Sequence, residues 1–204
     1  MPRFLHVGCG PARKAQTTSG FNRPEWDEVR LDIDPRVEPD ILGSLTDLSA
    51  VADGSMDALF SSHSLEHVYP HEVAVALSEF RRALADDGFL IVTCPDLQSL
   101  AELIAQDGLT EPAYMSEAGP ITPLDSLYGL RSALAAGNLH MAHRTGFTRR
   151  TLIEALHTAG FGSVAALQRK AAFDLWAVGT KTHQPRERME ALVRDHFPGQ
   201  ATPA

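Results

Sequence analysis

Cysteine is scarce in this sequence: Cys9 and Cys94 are the only two in 204 residues, and no C-x-x-C spacing joins them. That excludes a disulfide scaffold and offers no cysteine-based zinc site. Long apolar runs are missing too. None approaches the roughly 20 residues that span a bilayer, so no membrane partner is expected. The N-terminus enters a strand-like run almost at once, leaving no room for a signal peptide, and the protein is expected to be cytoplasmic. Positive charge is in deficit, with 18 Lys and Arg against 26 Asp and Glu and a net charge of −8. A negative surface repels phosphate backbones, which argues against nucleic acid as a partner. The basic stretch Arg144 to Arg150 reads as a solvated loop and helix start. Internal repeats and low-complexity tracts are absent, and the length fits one ordinary domain.

What is present is concentrated near the start. Phe4-Leu5-His6-Val7-Gly8-Cys9-Gly10-Pro11 is an apolar strand ending in Gly-x-Gly, and Val29-Arg30-Leu31-Asp32-Ile33-Asp34 is a second apolar run ending in acids. Open α/β sheets build adenosine sites this way: glycines let the main chain approach a ligand, and the carboxylate accepts both ribose hydroxyls. Dinucleotides would need a third glycine and a helix N-terminus for the pyrophosphate. Pro11-Ala12-Arg13-Lys14 and the loop after it supply neither. S-adenosylmethionine carries adenosine without phosphate and suits the loop better.

Further along, Asp57-Ala58-Leu59-Phe60-Ser61-Ser62-His63-Ser64-Leu65-Glu66-His67 precedes a helix with Glu79-Phe80-Arg81-Arg82-Ala83-Leu84, then Asp87-Gly88-Phe89-Leu90-Ile91-Val92. With the opening segment, this order of parts over residues 3 to 96 resembles the class I S-adenosylmethionine-dependent methyltransferases. The resemblance implies an α/β, Rossmann-like, mostly parallel seven-stranded sheet with helices on both faces and a C-terminal antiparallel strand pair. It also implies S-adenosyl-L-methionine as cofactor. Two places depart from the family: His6 stands where an acid is usual, and Ala12 where a further glycine is usual. A short or absent first helix is expected, as in small relatives with Gly-Cys-Gly-Pro.

Strands are expected at 3–8, 29–33, 39–42, 56–61 and 89–94, with a final pair at 163–168 and 172–181. The best helix is 71–86, where Val73, Leu77, Phe80 and Leu84 recur at helical spacing; another runs from Thr148 as N-cap to Gly160. A methyltransferase domain thus covers 1–181, and 182–204 is a polar tail with room for one short helix. The stretch 97–146 is too long for a plain connection and reads as a substrate lid.

Ligands of such sheets bind beyond the carboxyl ends of the strands. There, Gly8, Cys9 and Gly10 are expected beside the methionine part, with His6 beneath them, and Asp32 on the ribose, flanked by Ile33 and Asp34. Ser44 and Leu45 resemble the family segment beside adenine. Ser61 and His63 close the crevice, with His63 toward the methyl group. In the lid, His140 and His143 are three apart and would share a face of a helical turn; either, or His63, could take a proton from the acceptor at neutral pH. The expected activity is methyl transfer to a small-molecule acceptor, oxygen favoured over nitrogen, with no metal ligands assigned. The lid could double as a homodimer surface. Two other readings stand beside it. One is a non-catalytic sensor or partner subunit that binds adenosylmethionine or adenosylhomocysteine. The other is a zinc hydrolase using His63-x-x-Glu66-His67, a spacing that requires a stable helix.

Overall fold

The computed structural model describes residues 1–116 and 118–199; of the expected lid only Glu117, and of the expected tail residues 200–204, lie outside the described residues. Strands β1 (Arg3–Val7), β2 (Asp27–Asp32), β3 (Ile41–Leu42), β4 (Met56–Ser62) and β5 (Leu84–Pro95) come first. A small hairpin follows, β6 (Tyr114–Ser116) and β7 (Gly119–Ile121), and then β8 (Ser163–Arg169) and β9 (Asp174–Thr180). Seven strands make one sheet in the order β3-β2-β1-β4-β5-β9-β8, and β9 alone runs antiparallel to its neighbours. This is the expected Rossmann-like sheet. Its strand order reverses between β1 and β4, so a crevice opens past Val7 and Ser62.

Inner parallel strands are covered on both faces and therefore read as nearly unbroken apolar runs. Leu5, Val7, Leu59 and Leu90 face α1 (Val73–Ala83) and α5 (Arg149–Thr158), which contribute Leu77, Phe80, Leu152 and Leu156. Phe4, Ala58, Phe60, Phe89 and Ile91 point to the other face. The helix expected over 71–86 is shorter at both ends. Glu72 turns its carboxylate back to accept from Tyr69 N (2.8 Å), and Leu84 is already extended and paired with Met56. Strand β3 keeps two of the four residues expected, because Glu38 is left-handed and the Asp40 carboxylate accepts from Arg30 N at 2.8 Å. The Thr148 cap forms as expected, accepting from Thr151 N.

No first helix follows β1. A single 3-10 turn, Lys14–Gln16, stands in its place, and Phe21 from the following loop stacks on Phe4 at 4.4 Å. The remaining cover on that face comes from the far end of the chain. Residues expected as a polar tail form α6 (Arg186–His196), eleven residues long, whose Leu192, followed by Phe197, packs into the second core. Its apolar stripe is narrow, Met189, Leu192 and Val193 among charges, so composition hides it while helical periodicity carries it.

His196 closes this seam. Its ring lies 4.4 Å from Phe21 and 5.1 Å from Phe89, and Nδ1 is 2.7 Å from the Thr18 hydroxyl. Burial pulls its pKa down from 6.5 to about 4. Between those values the unfolded chain takes up a proton that the folded chain refuses. Stability is therefore present above about pH 6.5 and falls on acidification toward 4, by roughly 3 kcal/mol from this group. Urea unfolding of the wild type and of His196→Phe across this range should show the substitution flattening the slope; parallel curves would contradict the assignment.

Candidate active site

The crevice is built by a clasp between the ends of β1 and β2. Gly8 (φ 66°) and Gly10 (φ 51°) take the left-handed conformation that side chains disfavour. That turn lets Gly8 N and Cys9 N both donate to Leu31 O, at 2.8 and 3.2 Å. Asp32, nearly buried, accepts from Gly10 N (2.7 Å) through Oδ2 and from Asp34 N (2.9 Å) through Oδ1. Each oxygen keeps a second lone pair for a ligand hydroxyl. The buried Arg30 guanidinium donates to the carbonyls of Gly10, Ala12, Val37 and Glu38 at 2.6 to 3.1 Å. A buried cation needs such a ring of acceptors.

A cavity of about 330 Å³ lies over this clasp. Gly8, Gly10, Asp32, Ile33, Asp34, Leu45 and His63 line it, as expected from the sequence. His6, Cys9, Ser44 and Ser61 do not. His6 lies under the sheet end with Nδ1 2.7 Å from Glu28 Oε1, and Cys9 is turned inward, where burial pushes its thiol up to about 11. Ser44 bonds Thr46 within its own loop (2.9 Å), and Ser61 is buried. Sequence reasoning missed Pro11, Val37, Ser64, His67, Asn138 and Met141 in the walls. A carboxylate-lined hollow fed by left-handed glycines, with no helix N-terminus above it, fits adenosine without phosphate.

A second cavity of about 310 Å³ adjoins the first and shares His63, His67 and Met141 with it. Its other walls include Glu66, Tyr114, Ile121, Ser126, Leu130 and His143. His63 stands at the junction, at the end of β4, held at φ 48°. Such a conformation in a residue other than glycine is costly and persists where surroundings over-determine it; here His63 N donates to Thr93 O at 3.0 Å. Its Nδ1 is 3.4 Å from the buried Glu66 carboxylate. Burial would depress the His63 pKa, but Glu66 outweighs burial and holds it above its ordinary value. Burial likewise pushes Glu66 up, and His63, with His67 and His143 beyond, reverses the sign and keeps it ionised. His143 is pulled below its ordinary value by burial, which Glu66 opposes only in part.

The lid consists of α2 (Leu97–Ile104), the β6–β7 hairpin, α3 (Pro123–Tyr128), α4 (Arg131–Ala135) and a 3-10 turn, Leu139–Met141. Arg144 N and Thr145 N both donate to the Glu66 carbonyl, at 2.8 and 3.2 Å, which fastens the lid over the crevice. His140 and His143 do not share a face, because the turn ends at Met141. His140 lines the first cavity, where it assists Arg36 in holding the Asp34 carboxyl at about 2, and His143 lines the second. Of the two tyrosines in this segment, Tyr114 walls the second cavity and Tyr128 is exposed. The zinc-hydrolase spacing lacks its helix: His63 follows the last residue of β4 and Leu65–His67 is one 3-10 turn.

Residues 5–92 match the family model described as a methyltransferase domain. That segment, less than half of the 204 residues, is similar to a methyltransferase domain. The chain is similar to a Thermotoga maritima structure described as a possible histamine N-methyltransferase, with 16% identity and TM-score 0.56 over 89% of this chain and 83% of that one. It is also similar to Burkholderia thailandensis 1,6-didemethyltoxoflavin-N1-methyltransferase, solved with 1,6-didemethyltoxoflavin and S-adenosylhomocysteine bound. There the identity is 17% and the TM-score 0.52, over 89% and 72% of the two chains. A methyltransferase from Archaeoglobus fulgidus gives 14% and 0.55, over 88% and 86%. At these identities the likeness is one of fold. No curated protein matches the sequence. None of the described helices is long and apolar enough to cross a membrane.

The two glycines of the turn differ in a way that mutation can read. A Cβ on Gly8 would lie 2.3 Å from Ser64 Oγ, whereas one on Gly10 meets nothing within 4 Å. Gly10→Ala should cost about 1–2 kcal/mol from backbone strain alone, and Gly8→Ala clearly more. Urea denaturation of the cofactor-free variants checks this; equal losses would refute the close approach of Gly8 to Ser64.

Proposed function

We propose that the enzyme methylates a small-molecule acceptor held in the second cavity, with oxygen favoured over nitrogen as the accepting atom. The observation that carries this reading is the pair of adjoining cavities, one with the features of an adenosine site and one of small-molecule size, meeting at His63. Two neighbours in fold are named as N-methyltransferases of small molecules, which supports a small acceptor; the preference for oxygen rests on the local chemistry alone. Here that chemistry is imidazole and carboxylate, which accept hydrogen bonds from an acceptor O–H.

Gly8, Gly10, Asp32, Ile33, Asp34 and Leu45 hold the cofactor, with Asp32 on the ribose hydroxyls. When bound, S-adenosylmethionine supplies a methyl group on positively charged sulfur, which an acceptor lone pair takes as the C–S pair returns to sulfur. The chain's own part is to place the acceptor in line, exclude water and receive the acceptor's proton. Positioning of this kind is worth roughly 7–11 kcal/mol. Met141, Ile121 and Leu130 supply apolar walls, His63 and His143 face the acceptor, and His140 closes the cofactor side.

Asp32→Asn preserves shape while removing the charge and one acceptor oxygen. It is expected to weaken adenosylhomocysteine binding at least tenfold in calorimetry, with an unchanged circular dichroism spectrum; unaltered affinity would remove Asp32 from the ribose. Mass spectrometry of products from matched phenol, carboxylate and amine acceptors tests the acceptor atom. Methylation of amines alone would overturn the preference for oxygen, and adenosylmethionine binding without any turnover would favour the sensor reading.

A further inference from the structure

We propose that Glu66, His67 and His143 form a site for one divalent transition-metal ion in the wall of the acceptor cavity. The donor atoms of these three residues all lie within 4.8 Å of one another. Zinc ligands at 2.0–2.2 Å stand about 3.4 Å apart in a tetrahedron, so rotation of the side chains closes the remaining gap. The Glu66 carboxylate is buried, and neither oxygen has a hydrogen-bond partner among the described residues. Its nearest charged neighbour is His63, with Nδ1 3.4 Å from Oε1, which leaves Oε2 free to meet a metal cation.

The two histidines are already oriented as ligands. His67 Nδ1 is 3.1 Å from Ala142 O, and His143 Nδ1 is 2.7 Å from Ser126 O. A carbonyl can only accept, so in both rings Nδ1 carries the proton and Nε2 keeps its lone pair. Metal-binding imidazoles are commonly fixed through their second nitrogen in this manner. The rings meet nearly edge to face, with centroids 4.8 Å apart.

Two imidazoles and one carboxylate leave a coordination position open, as in sites where a metal acts on a substrate. Imidazole selects zinc, cobalt, nickel or iron over magnesium and calcium, which prefer oxygen. The open position faces the acceptor cavity, so the inference rests on the function proposed above and gives that cavity a specific use. A hydroxyl oxygen on the ion loses its proton more readily, and His63, which lines the same cavity outside the ligand set, receives it. The oxygen lone pair then forms the O–CH3 bond as the C–S bond breaks and that pair passes to sulfur. The ion stays divalent throughout. This ligand set omits His63 and is not the His-x-x-Glu-His spacing, since His143 comes from the lid.

The test uses full-length protein stripped with a chelator, titrated with Zn2+ in a calorimeter and with Co2+ in a spectrometer, with Mg2+ as control. One Zn2+ per chain is expected, with visible d–d absorption for Co2+ and no Mg2+ binding. Glu66→Gln, His67→Gln and His143→Gln should each lower Zn2+ affinity at least a hundredfold, while His157→Gln, on the exposed side of α5, leaves it within threefold. Should the ligand variants fold poorly, Zn2+ must still protect His67 and His143 of the wild type from carbethoxylation, read by peptide mass. Absence of stoichiometric binding, or binding that ignores all three substitutions, overturns the site. Adenosylhomocysteine titration of the same samples separates the two proposals: cofactor binding without metal sinks only this one, and metal without cofactor sinks the methyltransfer reading.

Discussion

The Asp32 carboxylate fixes the architecture of the crevice. By accepting from Gly10 N and Asp34 N at once, it ties the turn after β1 to the turn after β2. Arg30, two residues earlier on the same strand, gathers four carbonyls from the same two turns. One short segment thus carries an anion and a cation, each satisfied mainly by backbone. The result is a rigid floor assembled before any ligand arrives, and preorganisation of this kind reduces the ordering cost of binding.

That floor survives the loss of a structural part. Where a helix would usually follow the glycine turn, this chain has one 3-10 turn and a loop, and the exposed sheet face is sealed by Phe21 and by α6 from the other end of the chain. His196 sits at the contact between the two, bonded to Thr18. Sealing by residues so distant in sequence makes the cofactor half of the sheet dependent on the C-terminal helix, although that helix touches neither cavity.

Much of the lining of the first cavity was legible in the sequence because its residues are local. Gly8, Gly10, Asp32, Ile33 and Leu45 follow strand ends directly, and a strand end in a parallel sheet has one place to point. The errors there have a common physical source. His6, Cys9 and Ser61 alternate with, or sit just before, the cavity-facing positions, and strand parity cannot be assigned from runs that are apolar on both faces. Arg30 carried a signal that went unused, a charge inside an apolar strand that must have backbone acceptors. The acceptor half was opaque for a different reason. Glu66, Tyr114, Ser126 and His143 come from separate turns of an irregular lid, and no periodicity relates them. Even the histidine pair misled, because a three-residue spacing means a shared face only if the helix continues past Met141.

The lid couples the two halves. Asn138, His140 and Met141 line the first cavity, Met141 and His143 line the second, and the segment that follows is fastened to the Glu66 carbonyl by two backbone bonds. Glu66 therefore acts at both levels, its peptide group holding the lid and its carboxylate facing the imidazoles that the lid brings in.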